Sequence, residues 1–541
     1  MANSTASNAP LLSITDLAVG YTTRRGEVAA VQNVSFEVYP GQMTAIVGES
    51  GSGKSTTAMA AIGLLPDNAA VRAGDIRYRG QDITGFDERQ WRSLRGTDIG
   101  LIPQDPNNSL NPVKSIGDSV AEGLAIHGVG TPAERKAQVL ALLERVGIDD
   151  PARRYHQYPH ELSGGMKQRV LIAAAVALKP KLIVADEPTS ALDVTVQKVI
   201  LDLLDDMRDE LGLGILFITH DLAVAGERAD HIVVMEQGQV REFGQATRVL
   251  TDPRHPYSQR LLADAPSLAV AKAAPRPAVT GEELVRVEGL TQRFGDFTAV
   301  DGVSFSVPRG ATHAIVGESG SGKTTTGRAI AALADPTSAS ITVAGVEFTR
   351  LNPKQRRLLR KRIQLVYQNP YSSLDPRLTV GASIGEPLRN FGEKNKKVIA
   401  DKVAHYLELV ALDPQLATRK PAELSGGQRQ RVAIARALIL EPELVIFDEA
   451  VSALDVTVQA QILRLLDRLQ RELHLTYIFI SHDLAVVRQI SDTVSVMRGG
   501  KQVEYGPTAE VFDHPTSEFT RTLLDAIPGS RYRSGDLNLG L

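Results

Sequence analysis

The chain has 541 residues, of which 43% are hydrophobic and 23% charged, and its formal net charge is −3. This length predicts several folded domains, and the near-balanced charge argues against a protein whose main partner is nucleic acid. The absence of cysteine excludes disulfides, zinc sites made of thiolates and cysteine-held iron–sulfur clusters. The longest apolar run, residues 170–178, is far shorter than the roughly 18–20 residues of a membrane span.

The first ten residues, Met1–Pro10, are small and polar, unlike a signal peptide, and we expect them to be flexible. Leu11–Val38 then alternates apolar and polar residues, which predicts half-buried antiparallel strands. Thr44–Val47 is a short apolar run that predicts a buried strand. A helix is expected to begin at Lys54 and to end near Leu64.

Between that strand and that helix lies a phosphate-binding P-loop, G-x-x-x-x-G-K-[ST], and the motif recurs in the second half of the chain. Its glycines let successive N–H groups face one anion, and the helix that follows adds a partial positive charge. A Gly/Ser turn before a lysine is the alternative for one copy, but it does not account for two near-identical copies behind apolar strands. The predicted nucleotide-binding residues are Gly48, Ser50, Gly51, Gly53, Lys54, Ser55 and Thr56 in the first copy and Gly317, Ser319, Gly320, Gly322, Lys323, Thr324 and Thr325 in the second.

The rest of the first half alternates helical and strand-like patterns. Residues from about 112 to 169 are predicted to be mainly helical, with 133–146 as the clearest amphipathic stretch. Leu182–Ala185 and Ile215–Thr219 are β-branched apolar runs with helical segments between them. The alternation predicts a largely parallel sheet with flanking helices and a helical insertion.

Two acidic residues end one of these apolar strands in each half, Asp186-Glu187 and Asp448-Glu449. The aspartates suit Mg²⁺ held through water, and the glutamates suit the polarisation of an attacking water. The alternative is a solvated acidic turn.

A Ser-Gly-Gly triplet opens a long apolar helix in each half. The triplets are Ser163, Gly164 and Gly165 in the first half and Ser425, Gly426 and Gly427 in the second. Each is either an anion-binding helix end or an ordinary capped helix.

The motifs repeat at an interval of about 260 residues, which predicts two homologous domains rather than a solenoid of short repeats. We expect a first domain at 11–264, an exposed linker rich in Ala and Pro at 265–283, a second domain at 284–527 and a flexible tail at 528–541.

The order of P-loop, L-S-G-G-[QM]-x-Q-R and D-E strand resembles the ATP-binding cassette (ABC) ATPases over nearly the whole chain. The resemblance implies an α/β fold with two tandem ABC-type P-loop NTPase domains. Each would have a mainly parallel RecA-like core, an antiparallel β subdomain and a helical subdomain.

The same resemblance implies roles for individual residues. Tyr21 and Phe294 would stack on adenine, and Asp193 and Asp455 would lie in loops that communicate between the two sites. The implied Mg²⁺ ligands are Ser55, Gln104 and Asp186 in the first half and Thr324, Gln368 and Asp448 in the second. The implied catalytic residues are Glu187 and His220 in the first half and Glu449 and His482 in the second.

Members of this family pair their domains head to tail. The resemblance therefore implies that Ser425–Gly427 completes the site of Lys54, and that Ser163–Gly165 completes the site of Lys323. A single chain would then supply both cassettes of a complex.

Segments after Gln104 and Gln368, and the H-P-Y and H-P-T segments at 255–257 and 514–516, resemble the di-/oligopeptide and nickel importer branch. This implies an ATPase at the cytoplasmic face of the membrane that energises two permease subunits served by an extracytoplasmic binding protein. Peptides are the expected cargo, and nickel or another solute stays open. A soluble tandem ABC translation factor is the rival, although its long charged linker is missing here.

Some residues depart from the branch pattern. The cysteine cluster that holds an iron–sulfur centre in many relatives is missing, so the expected cofactors are ATP and Mg²⁺ without such a cluster. Met166 replaces the usual signature Gln, and Ala450-Val451 stands where the first half has Pro188-Thr189. Both halves keep the Lys, Asp, Glu and His, so we expect both to hydrolyse ATP. The two rates need not be equal. The basic run Arg356–Arg362 is interpreted as a solvated helix face and not as a nucleic-acid site.

Overall fold

The computed structural model describes residues 9–24, 26–190, 192–265, 268, 281–369, 373–452 and 454–529. Residues 1–8, most of the predicted linker at 265–283, and residues 530–541 lie outside these ranges, so the predicted flexibility of those three segments stays a prediction. The chain divides into two compact units, one built mainly from residues up to 268 and one mainly from residues 281–527.

The first domain contains two sheets. Its strands are β1 (Leu12–Thr23), β2 (Gly26–Val38), β3 (Met43–Val47), β4 (Ala69–Tyr78), β5 (Gln81–Asp82), β6 (Ile99–Ile102), β7 (Leu182–Asp186), β8 (Gly214–Ile218), β9 (His231–Glu236) and β10 (Gln239–Gln245). β2, β1, β4 and β5 form an antiparallel sheet in that order. The other sheet has the order β10-β9-β3-β8-β7-β6 and is parallel except for β10 at its edge.

The helices of the first domain pack against its sheets or against one another. They are α1 (Lys54–Ala61), α2 (Glu88–Leu94), α3 (Pro106–Ser109), α4 (Ile116–Ile126), α5 (Pro132–Arg145), α6 (Pro151–Arg154), α7 (Gly164–Val176), α8 (Val194–Leu211), α9 (Leu222–Arg228), α10 (Ala246–Thr251) and α11 (Pro256–Ala263). The predicted amphipathic stretch is α5, where Thr131 and Glu134 form a capping box and Val139 and Leu143 are buried. α1 ends three residues before the predicted Leu64, because the chain turns at Gly63 with a φ of 64° and packs against Trp91.

The second domain repeats this arrangement. Its strands are β11 (Glu283–Phe294), β12 (Phe297–Pro308), β13 (Thr312–Gly317), β14 (Ser338–Val343), β15 (Val346–Glu347), β16 (Ile363–Val366), β17 (Leu444–Asp448), β18 (Thr476–Ile480), β19 (Thr493–Arg498) and β20 (Lys501–Pro507). The parallel sheet has the order β16-β17-β18-β13-β19-β20, with β20 antiparallel, and β12-β11-β14-β15 form the antiparallel sheet. The strand order is therefore the same in both domains.

The helices of the second domain also follow those of the first. They are α12 (Lys323–Ile330), α13 (Pro353–Arg362), α14 (Val380–Asn390), α15 (Lys396–Leu409), α16 (Gly426–Leu438), α17 (Val456–Leu473), α18 (Leu484–Ile490), α19 (Thr508–Asp513) and α20 (Glu518–Asp525). The basic run forms α13, but several of its arginines are not simply solvated: Arg356 pairs with Asp335, and Arg362 pairs with Glu443. Among the described residues, no helix is both long and apolar enough to cross a bilayer.

The central strands are mostly apolar, with Thr44 on β3 and Asp186 at the end of β7 as buried polar exceptions. β3, β7 and β8 are buried along their whole length, as expected for strands covered by helices on both faces. The core of the first domain joins these strands to α1 and to the apolar faces of β1 and β2. The carboxyl ends of neighbouring strands are thereby held at one rigid edge, which is where ligands bind in open α/β sheets.

Candidate nucleotide-binding and catalytic sites

Strand order decides which side chains meet at the site of the first domain. β3, β8, β7 and β6 lie side by side, and their carboxyl ends lead to the P-loop, His220, Asp186-Glu187 and Gln104 respectively. Parallel pairing holds all four ends at one edge of the sheet. The predicted site residues therefore come together although they are spread over more than 160 positions of the sequence.

The P-loop curls sharply as it leaves β3, and glycine is required at two of its turns. Gly48 has a φ of 150°, and a Cβ there would lie 2.1 Å from the carbonyl oxygen of Met235. Gly53 has a φ of 97°, and a Cβ there would lie 2.8 Å from the carbonyl oxygen of Ala30. Any other residue would clash with backbone at either place, so the loop path depends on these glycines.

The loop delivers its lysine and a helix N-terminus to the same point. Lys54 is buried, and its ammonium donates to the carbonyl oxygens of Gly48 at 2.8 Å and Glu49 at 2.9 Å. Gly53 is the N-cap of α1 and has no side chain with which to occupy the first N–H groups of the helix. Those N–H groups and the lysine form a cationic cradle suited to phosphate.

Ser55 and Asp186 lie next to each other in the cradle. The Ser55 hydroxyl donates to Oδ1 of Asp186 at 3.0 Å. Burial raises the pKa of the Asp186 carboxyl above its usual range, and the charge of Glu187 adds to the shift while the Ser55 hydrogen bond opposes it. A nearby cation would relieve this cost, because it favours the charged form of the carboxylate.

Glu187 is held between the ends of the two strands that flank β7. Its Oε2 accepts a hydrogen bond from Nε2 of Gln104 at 2.9 Å and lies 3.3 Å from Nδ1 of His220. Burial alone would raise the pKa of Glu187, but the hydrogen bond and charge of His220, together with Lys54 and Gln104, hold the pKa below its usual range. Burial likewise would lower the pKa of His220, but Glu187 raises it. The pair is therefore an ionised carboxylate facing an imidazole that favours its cationic form.

The glutamate that follows β7 and the glutamate that follows β17 both have a backbone conformation that sequence patterns do not reveal. Glu187 has a φ of 44° and Glu449 a φ of 49°, in the left-handed region that non-glycine residues seldom adopt. The N–H of Glu187 donates to the carbonyl oxygen of Ile218 at 2.9 Å, and that of Glu449 to Ile480 at 3.0 Å. Strained backbone of this kind is concentrated at functional sites, where the surroundings fix one direction for the side chain.

The second domain reproduces the same contacts. Lys323 donates to Gly317 and Glu318 at 2.8 and 2.7 Å. The other matching contacts are Thr324 Oγ1 to Asp448 Oδ1 at 2.8 Å, Gln368 Nε2 to Glu449 Oε2 at 2.7 Å, and His482 Nδ1 to Glu449 Oε2 at 3.3 Å. The pKa of Asp448 is raised by burial, and that of Glu449 is lowered, as in the first domain.

The aromatic candidates for adenine stacking differ between the domains. Tyr21 lies on β1, and its hydroxyl is 3.2 Å from the hydroxyl of Thr56, at the start of α1. Phe294 ends β11, pairs across the hairpin with Phe297, and is 59% exposed. An exposed ring of this size is available to a planar ligand.

Each predicted signature serine begins a helix within its own domain. Ser163 is the N-cap of α7 and accepts a hydrogen bond from the N–H of Met166 at 3.3 Å. Ser425 is the N-cap of α16, where Gln428 also returns a bond, accepting from the Ser425 N–H at 3.0 Å. The capping box of the second domain thus needs the Gln that Met166 replaces in the first.

The predicted communication residues also sit at a helix start. Asp455 is the N-cap of α17 and accepts a hydrogen bond from the N–H of Val458 at 3.0 Å. Asp193, which precedes α8, accepts a hydrogen bond from the Thr195 hydroxyl at 2.8 Å.

The H-P-Y segment is tied into the first domain by residues that sequence reasoning missed. Glu242 on β10 accepts hydrogen bonds from the N–H groups of Arg254 and His255 at 3.2 Å, and His255 caps α11. In the second domain Glu504 on β20 accepts from the N–H groups of Thr516 and Ser517 at 2.7 and 3.2 Å. The sequence signal for this contact was a glutamate, Glu242 or Glu504, at the same position in each repeat.

The fold and the paired sites define a P-loop ATPase with two cassette domains. A family model described as ABC transporter matches residues 31–190 and 300–452. A model described as oligopeptide/dipeptide transporter, C-terminal region, matches residues 241–289 and 503–538.

Relatives match along nearly the whole chain. The peptidoglycan transport ATP-binding protein YejF of Agrobacterium fabrum is 45% identical over 529 residues, which cover 96% of each chain. The glutathione import ATP-binding protein GsiA of Salmonella typhimurium is 43% identical over 557 residues, covering 96% of this chain and 89% of the relative. A solved structure of cbiO1 from Clostridium perfringens shares 29% identity over 43% of this chain and 92% of its own, with a TM-score of 0.40.

The chain belongs to the ABC transporter family, as an ATP-binding subunit of the oligopeptide/dipeptide importer type. It is an ATPase that couples ATP hydrolysis to import, and one chain carries both nucleotide-binding domains. The predicted α/β fold with two ABC domains is confirmed.

Proposed function

We propose that the chain energises the import of small peptides, from the cytoplasmic face of the membrane, through two permease subunits fed by an extracytoplasmic binding protein. The transporter-type C-terminal region, which matches at the end of each domain, supports peptide cargo. The names of the relatives agree with it, since one is a glutathione importer subunit and glutathione is a tripeptide.

The observation that carries the catalytic assignment is the Glu–His–Gln contact at the edge of the P-loop sheet. Glu187 is ionised and is aimed by Gln104 and His220, so its carboxylate can accept a proton from an attacking water. His220 favours its cationic form, so its ring can donate to a terminal phosphate oxygen as negative charge is redistributed. The same assignments are proposed for Glu449 and His482.

The remaining residues bind and position the nucleotide. Lys54 and the N-terminal N–H groups of α1 would neutralise the β- and γ-phosphates, and Lys323 with α12 would do so in the second domain. Tyr21 and Phe294 would stack on adenine. Because phosphoryl transfer depends mainly on alignment and charge, these contacts are themselves part of catalysis.

The donor set beside the P-loop fits Mg²⁺. Ser55 Oγ and Asp186 Oδ1 are 3.0 Å apart, and Thr324 Oγ1 and Asp448 Oδ1 are 2.8 Å apart. Hydroxyl, carboxylate and amide oxygens are the hard ligands that Mg²⁺ prefers alongside phosphate and water. Ser55, Asp186 and Gln104 would hold the ion in the first domain, and Thr324, Asp448 and Gln368 in the second. When bound, Mg²⁺ would neutralise charge on the phosphates. No iron–sulfur cluster is proposed, since the chain has no cysteine.

We further propose, from the family resemblance, that the signature of each domain completes the ATP site of the other. Ser425–Gly427 would then act with Lys54, and Ser163–Gly165 with Lys323. ATP binding would favour closure of the pair, and hydrolysis would favour its reopening, which is the motion that permeases could use.

Two other assignments remain as outcomes of a test. The cargo could be nickel or another solute, since an ATPase that contacts only permeases does not bind the cargo. A ribosome-acting tandem ABC protein would instead sediment with ribosomes.

The test is purification of the tagged chain from gently solubilised membranes, followed by ATPase assays of the recovered complex. Co-purification of two polytopic permeases is expected, together with ATPase stimulation by a binding protein loaded with di- or tripeptides. The Glu187→Gln/Glu449→Gln chain is the matched control, which should assemble equally well but show no stimulation. Recovery of ribosomes without permeases, or stimulation by a nickel-loaded protein alone, would contradict the proposal.

A further inference from the structure

The H-P-Y segment of the first domain touches the P-loop directly. Tyr257 is 3% exposed, and its hydroxyl accepts a hydrogen bond of 3.2 Å from the N–H of Glu49. Glu49 follows Gly48, the residue at which the loop turns out of β3. The segment that identifies the transporter branch is therefore in contact with the segment that identifies the ATP site.

The bond acts on a peptide unit that also positions the lysine. The peptide between Gly48 and Glu49 presents its N–H to Tyr257 and its carbonyl oxygen to Nζ of Lys54, at 2.8 Å. Both ends of one planar peptide are thus fixed, so its rotation is restricted. If the tyrosine bond were lost, only the hydrogen bond from Lys54 would still restrict this peptide.

Tyr257 is itself firmly placed. Its N–H donates to Nδ1 of His255 at 3.1 Å, and Glu242 holds the N–H groups of the residues that precede α11. Arg260, one turn further along α11, lies 5.9 Å from the centre of the tyrosine ring. Because these contacts already fix the backbone and ring of Tyr257, the side chain loses little further conformational entropy when its hydroxyl accepts a hydrogen bond from the loop.

The second domain has a different residue at the matching position. Phe519 stands where the first domain has Tyr257, because each is the second residue of its helix, α20 or α11, and each is buried. Phe519 has no hydroxyl, and Arg498 lies over its ring at 4.7 Å from the ring centre. The second P-loop therefore does not receive this tyrosine bond.

We propose that Tyr257 is a positioning residue for nucleotide binding in the first domain, where its hydroxyl sets the Gly48–Glu49 peptide that orients Lys54. The two ATP sites then differ in how firmly the P-loop is preorganised, although their catalytic side chains match. The inference rests on the proposed role of the P-loop lysines in nucleotide binding.

The test measures ATP affinity at one site at a time in the full-length chain. Lys323→Ala removes the lysine of the second site, and Tyr257→Phe is then added, which deletes only the hydroxyl. The ATP dissociation constant of the first site should rise about 3–10-fold, the value of one neutral hydrogen bond. In a Lys54→Ala background, the same substitution should leave the second site unchanged.

Tyr505→Phe is the matched control, because it deletes a tyrosine hydroxyl on β20, whose partner is the Ser306 carbonyl oxygen at 3.5 Å. It should not alter either dissociation constant. Steady-state assays of the otherwise unmodified Tyr257→Phe chain should show a raised KM for ATP with kcat within about twofold of the parent.

Two results would overturn the inference: an unchanged first-site affinity, whatever the melting temperature without ATP, or equal weakening of both sites. The proposed function has its own separate failure. If Lys54→Ala in the Lys323→Ala background leaves ATP binding intact, the P-loop assignment is wrong. If that change abolishes binding and Tyr257→Phe does nothing, only the tyrosine inference is wrong.

Discussion

The two domains agree in the contacts among their catalytic side chains and differ in the contacts that support them. The glutamate and histidine are 3.3 Å apart in both domains, and both glutamates have a left-handed backbone. The lysine and the Ser/Thr–Asp pair also make equivalent bonds. The repetition supports our proposal that both sites hydrolyse ATP.

The contacts that surround the predicted catalytic side chains differ between the two domains at three places. The signature helix has a full capping box at Gln428 but not at Met166. After the glutamate, Thr189 accepts a hydrogen bond from Gln197 at 3.2 Å, whereas Val451, which is buried like Thr189, offers no hydroxyl. The third difference is the hydrogen bond between the Tyr257 hydroxyl and the P-loop, which is present in the first domain. The two sites thus share the contacts among their predicted catalytic side chains, whereas the contacts beside them differ.

The largest expected effect comes from removing each glutamate. Glu187→Gln and Glu449→Gln, made separately, should each lower hydrolysis at their own site by about 10²–10⁴, since the general base is lost while the amide keeps the shape. ATPase turnover of the assembled complex is the measurement. Glu144→Gln, on an exposed position of α5, is the control and should have no effect. If either site variant turns over at the parental rate, that site does not hydrolyse ATP.

An intermediate effect is expected from an arginine in either signature. Ser425→Arg should weaken ATP binding at the site of Lys54 by on the order of tenfold or more, because the bulky side chain would block access to the N–H groups at the start of α16. The Lys323→Ala background isolates that site for titration. Ser163→Arg in the same background is the matched control and should leave it unchanged. Should Ser425→Arg leave that site unchanged and instead weaken the site of Lys323, titrated in a Lys54→Ala background, the head-to-tail proposal is wrong.

The smallest expected effect concerns the signature helices. Met166→Gln should stabilise the first domain by about 0.5–1 kcal/mol, because the amide oxygen can accept the N-cap N–H as Gln428 does. Gln428→Met should destabilise the second domain by a similar amount. Urea unfolding without ATP measures both changes. Gln428→Glu keeps an acceptor and should stay close to the parent, and equal loss in Glu and Met variants would refute the capping explanation.

Most of the fold could be predicted because its signals are local. The apolar runs of β3, β7 and β8 and the glycines of the P-loop directly specify a parallel core with a phosphate-binding turn. Because the same motifs occur in both halves of the chain, each prediction rested on two copies. The resemblance supplied the roles of His220 and Gln104, and their contacts with Glu187 follow from the order of the strands.

The missed features depend on contacts between segments far apart in the chain. Tyr257 and Glu49 are separated by 208 positions, and nothing near either residue indicates that they meet. The left-handed backbone of Glu187 is set by its N–H bond to Ile218 on the neighbouring strand, not by its own propensity. Both arise only when the sheet is assembled.

The central claim is that one chain carries two ATP sites with the same chemistry. The most direct measurement is the number of ATP molecules bound, in the presence of Mg²⁺, by the full-length Glu187→Gln/Glu449→Gln chain, in which hydrolysis is blocked. We expect two ATP per chain, falling to one in either Lys54→Ala or Lys323→Ala. A value of one in the chain with both lysines intact would contradict the account.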